Sequence, residues 1–165
     1  MRLKDWLERP SIKRMNLLII LAWIAIVSLV VIKTHWITYT KTPRIIYYKV
    51  AFTIYEGPTL SVVDFLIIIF AGFVVGLAMS DIRTLFYGYL LSMLCVFMIG
   101  VIYVAIFIWY VFSWGELFGA ISYGWEWVIL LGMLETFRII FPWVVGVCLI
   151  SLAIGFFAKS WILPT

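Results

Sequence analysis

"LFYGYLLSMLCVFMIGVIYVAIFIWYVF", Leu85 to Phe112, runs for 28 residues without a charged side chain. As a helix it extends about 42 Å, more than the roughly 30 Å of a bilayer's hydrocarbon core. Such a rod must tilt or project beyond the core. Tyr87 and Tyr89 near one end, and Trp109 and Tyr110 near the other, suit the two membrane–water interfaces. Its medium is therefore lipid.

The whole chain agrees with that reading. Of 165 residues, 66% are hydrophobic and 12% charged, and the mean hydropathy is +1.18. A water-soluble domain carries about a quarter charged residues, so a water-facing surface cannot be assembled from this composition. The net charge of +4 does not point to nucleic acid. Seven of the twelve Lys and Arg residues precede position 42 and flank the first apolar run, where anionic lipid head groups account for them. Cys95 and Cys148 each lie inside an apolar run and offer neither a disulfide framework nor a metal set.

Three more apolar runs accompany the first. Met15 to Ile32 is 18 residues long between Lys13-Arg14 and Lys33. It is too long for a secretory leader and lacks a small-x-small cleavage site, so it reads as a retained span. A second span runs from Ser61 to Met79, where "SVVD" has the form of a capping box, with Asp64 near the positive end of the helix dipole. The fourth uncharged run is Ile139 to Ala158. Pro142 either opens that helix or kinks a longer one continuing backward through "WEWVILLGMLETFR". In either case Trp127 to Leu134 is too short to span alone, and 125–138 reads as interfacial or re-entrant.

The connecting segments complete the outline. "MRLKDWLER", residues 1–9, places Leu3, Trp6 and Leu7 on one face of a short interfacial helix ending at Pro10. "THWITYTKTPRIIYYKVAFTIY", 34–55, is rich in threonine, isoleucine and aromatics around Pro43, which predicts a small β-hairpin. "SDIRT" is too short to do more than join two antiparallel helices. The expected fold is thus an all-α integral membrane protein. It is one domain, a four-transmembrane-helix bundle with an N-terminal interfacial helix and a small hairpin. Four spans put both termini on one side. Seven Lys and Arg fall on that side against five on the other, which favours cytoplasmic termini in a cell membrane.

Chemistry has little to work with. Asp64 and Asp81 lie 17 residues apart around the second span, about 26 Å on a helix, too far for a shared-proton dyad. His35 is the single histidine, placed just past the first span, and one histidine does not make a haem or zinc site. "GAISYG" puts Ser122 in a glycine-rich turn without the G-x-S-x-G pattern of a nucleophile elbow. No cofactor is expected. Gly72, Gly76 and Ser80 repeat every four residues, and Ser151 and Gly155 form a shorter stripe; both let helix backbones approach closely in lipid. Packing within the chain is the simpler use of these stripes, and a subunit contact is the alternative.

"SWGELFGAISYGWEWVILLGMLETFR", 113–138, collects three glutamates among tryptophans and glycines. Glu135 pairs with Arg138 three residues on. Glu116 and Glu126 read as the water-facing part of an aqueous loop whose aromatics sit at the head groups. The sharper alternative is an acidic outer mouth or docking surface, in which Asp64, Glu116 and Glu126 would line a pore. Four spans with short tails and no catalytic set suit an accessory or scaffolding subunit. Its partners would be the lipid bilayer and other membrane subunits or copies of itself, with no nucleic acid. An oligomeric channel or transporter component is the rival.

Overall fold

The computed structural model describes residues 10–41, 59–79, 81–120 and 125–162. Among them every element is helical: α1 Pro10–Lys41, α2 Val62–Ala78, α3 Ile82–Ala120, α4 Trp125–Ile139 and α5 Val145–Ile162. Three stretches are long and apolar enough to cross a membrane: Met15–Thr38, Ile82–Ile108 and Glu126–Lys159. At 17 residues, α2 is shorter, about 25 Å, near the lower limit for a bilayer core.

Proline opens α1, at a position where its missing N–H costs nothing. The predicted interfacial helix, 1–9, lies outside the described residues. So does most of the predicted hairpin, but its first strand does not. Thr34–Lys41 continues α1 as helix. Thr34 and His35 are buried there, and packing against α3 outweighs the strand preference of β-branched residues. Among the described residues there is no strand.

Named contacts give the direction of each helix. Gly88 packs on Ile20, Trp23 meets Tyr89 at 6.3 Å between ring centroids, and His35 meets Tyr103 at 5.5 Å, so α1 and α3 run parallel. Lys33 reaches Asp64 at the start of α2, which makes α2 antiparallel to α1. Thr136 packs on Gly100, and Gly132 on Val101, so α4 descends along α3. The α5 helix continues in that direction, and the Tyr89 hydroxyl donates to the Val145 carbonyl, 3.1 Å away. The bundle is up-down-up-down, with α2 and α5 parallel neighbours.

The Glu126–Lys159 stretch is a bent rod. Between α4 and α5 the chain leaves helical geometry at Phe141 (φ −103°, ψ 136°), ahead of a cis bond to Pro142. A residue before proline is pushed out of the helical region by the ring, and proline cannot donate to the turn before it. Of the two sequence readings of Pro142, the structure has the kink, with α5 starting at Val145. The core collects Trp23, Val27 and Val31 of α1, Ile68 and Val75 of α2, Val96 of α3, Val144, and Cys148 and Leu152 of α5. Outward faces stay apolar: Leu18, Phe70, Tyr87, Ile102 and Trp161 are all exposed, a surface compatible with lipid contact.

Candidate functional site

The strongest polar feature stands where α1 meets the start of α2. Ser61 is extended (φ −72°, ψ 156°) and caps α2, its hydroxyl accepting from the Asp64 backbone N–H at 3.2 Å. Asp64 returns the contact. Its Oδ2 accepts from the Ser61 hydroxyl at 2.6 Å and from the Ser61 N–H at 3.4 Å. Its Oδ1 takes the Lys33 ammonium at 2.7 Å. The Asp64 side chain is 2% exposed and that of Lys33 47%. A buried carboxylate is held by a hydroxyl, a backbone donor and a cation, while the lysine stem reaches from the surface.

Sequence spacing could not find that pair directly, since its members are 31 residues apart. The signal was present in weaker form. Lys33 closes one apolar run and Asp64 opens the next, so an antiparallel turn brings opposite charges to one level.

The neighbouring residues carry polarity inward. His35, placed by sequence in a hairpin, lies in α1 and is buried. It sits edge-on to Tyr103 and, at 5.0 Å between centroids, to Phe107. Thr34 beside it is 3% exposed, and Thr136 of α4, packed on Gly100, is 0% exposed. Gly100 and Tyr103 are one turn apart on α3. The register of these contacts puts Lys33, Thr34, His35, Asp64, Tyr103 and Thr136 at about one level of α1 to α4, a polar layer in the bundle.

The acidic segment takes a different form from the expected loop. Ser113–Ala120 is the last part of α3, so Glu116 lies on a helix. Glu126 is exposed in the first turn of α4, where a carboxylate favours the dipole. Residues 121–124, Ser122 among them, lie outside the described residues. Trp125–Ile139 is a helix packed along α3, and Arg138 donates to Glu135 across 3.3 Å. Asp81, at the other end of the bundle from Asp64, caps α3 by accepting from the Thr84 N–H at 2.7 Å and the Thr84 hydroxyl at 2.6 Å. No three His, Cys, Asp or Glu side chains converge as metal ligands among the described residues.

The small residues meet one another. A Cβ on Gly72 would strike the Ser151 side chain, and one on Gly76 would lie 2.8 Å from the Phe156 nitrogen and 3.0 Å from the Gly155 Cα. A Cβ on Gly155 would run into the Phe73 backbone. Ser80 lies outside the described residues. With its glycine face against α5, α2 turns another face toward α1 across an open apolar groove of about 630 Å³. Ala22, Trp23 and Ile26 line one wall, and Leu66, Phe70 and Val74 the other.

No protein-family model matches the chain, and no curated protein or solved structure does either.

Proposed function

We propose that this chain is an accessory or scaffolding subunit of a larger membrane assembly, resident in the cell membrane with cytoplasmic termini. The groove between α1 and α2 is the observation that carries the reading. Both walls are apolar, and Val63, Leu66 and Phe70 on its α2 side stay exposed. The close-approach residues Gly72, Gly76, Ser151 and Gly155 are engaged within the chain, so a partner helix would use this second surface. Helix association in lipid rests on van der Waals fit, and a groove between two helices offers more of it than a convex face.

Orientation follows the basic residues. Lys13, Arg14, Arg83 and Lys159 belong to the end of the bundle where α1 and α3 begin and α5 finishes. A concentration of Lys and Arg at one end favours the cytoplasm for that end.

The decisive experiment is mass measurement after extraction in mild detergent. A particle well above 19.1 kDa plus its micelle is expected, and Val74→Trp, which fills the groove, should reduce it toward the monomer. A monomer for the unaltered chain would overturn the proposal.

The rival is an oligomeric channel or transporter component using Asp64, Glu116 and Glu126. The inward placement of Asp64 favours it, since carboxylates inside membranes often lie on ion paths. Liposomes containing only this chain separate the two. Solute or ion flux lost in Asp64→Asn or Glu126→Gln would select the rival.

A further inference from the structure

The polar layer holds more hydrogen-bonding capacity than the described side chains use. The hydroxyls of Thr34, Tyr103 and Thr136 are shut off from the surface with no hydrogen-bond partner among the described residues. Helical hydroxyls usually escape this by bonding to a carbonyl one turn back. That relief is used elsewhere in the bundle: the Thr38 hydroxyl donates to the Thr34 carbonyl at 2.8 Å, and the Ser151 hydroxyl to the Cys148 carbonyl at 3.1 Å. Thr34 and Thr136 make no such bond, although both are more than nine-tenths buried; Ser28 and Ser92, at other depths, share that state, but singly.

Their positions make the omission meaningful. Thr34 follows Lys33, whose ammonium holds Asp64. Tyr103 stacks edge-on with His35, and Thr136 sits on Gly100, one turn from Tyr103. Three helices thus bring hydroxyls to about one level, near the Lys33–Asp64 ion pair, of which only the aspartate is buried. Native interiors leave few polar groups without partners, and such groups recur where ordered water supplies the bond. In a lipid-embedded bundle the alternative to a partner inside is none at all.

We infer that the layer formed by Thr34, Tyr103 and Thr136 is a water-binding site inside the membrane bundle. A hydroxyl can donate one bond and accept two, so water held in the layer would satisfy each of the three. The inference is independent of whether the chain serves as a subunit or a pore.

Two measurements on the full chain in lipid nanodiscs test it. The first is thermal unfolding of Thr34→Val and Thr136→Val, which keep side-chain shape and delete the hydroxyl. With water bound, each should lower the melting temperature by about 2–4 °C, the shift for loss of one ordinary hydrogen bond in a chain of this size. In a dry layer, deleting a costly unpartnered hydroxyl leaves the melting temperature unchanged or raises it, and either result would overturn the site. The second measurement needs no variant. Magnetisation transfer from water in solid-state NMR should reach the Thr34 and Thr136 methyl groups faster than those of Val128 and Ile139, buried nearby on α4. Transfer no faster than to those two would also sink the inference, whether or not the variants fold.

Discussion

Gly76 and Gly146 carry the same side chain to opposite consequences. A Cβ on Gly76 has no room against α5, whereas one on Gly146 meets nothing within 4 Å. Gly76→Ala is therefore expected to cost about 1–3 kcal/mol through overpacking against backbone. Gly146→Ala should be neutral or gain up to about 1 kcal/mol of helix propensity. Parallel melting curves in one detergent check both, and equal shifts would refute the assignment. Asp64 is the other residue with a sharp expectation. Asp64→Ala removes a cap partner and leaves Lys33 without its anion, but Lys33 is half-exposed and can turn toward the interface. A loss of about 1–3 kcal/mol follows, less than for a pair buried at both ends. If the ion pair contributes, the Asp64→Ala penalty should shrink in a Lys33→Met background, measured as a double-mutant cycle.

At the scale of elements, α3 and α4 form a long hairpin whose seam is held open to close approach by Gly100 and Gly132. A Cβ on Gly132 would lie 3.1 Å from the Val101 carbonyl oxygen, so Gly132→Leu should force the two helices apart. Loss of a cysteine cross-link engineered between them, with α2 and α5 still linked, is the expected readout. The helices themselves were readable from uncharged runs: α2, α3 and the body of α1 follow from where Lys33, Ser61 and the 85–112 run stand. The Ser61–Asp64 cap was legible too, because its partners are three residues apart. What escaped the sequence was non-local. Thr34–Lys41 looked like a strand because propensity counts β-branched residues and not the Tyr103 and Phe107 rings of α3 that receive His35 and Trp36. Ser113–Ala120 looked like loop because glutamate and glycine interrupt an apolar pattern. Yet a helix already 28 residues long extends at little cost. The Lys33–Asp64 pair and the Tyr89–Val145 bond depend on how whole helices are arranged, which no local pattern encodes.

For the whole molecule, the end holding Arg83 and Lys159 should face the cytoplasm. Cysteines introduced one at a time at Ile82 and Trp127 should label from opposite sides of a sealed vesicle, and labelling from one side would contradict the up-down-up-down path. The parallel pairing of α2 with α5 has a consequence for biosynthesis. These helices are separated in the chain by the entire α3–α4 hairpin, so α2 leaves the ribosome long before its glycine face can be covered. Until Val145 and the residues beyond have been made, Gly72 and Gly76 confront acyl chains. The bundle is thus closed only when α5 follows the other four helices into the membrane, and a nascent chain stalled before it would display an unfinished helix to membrane quality control.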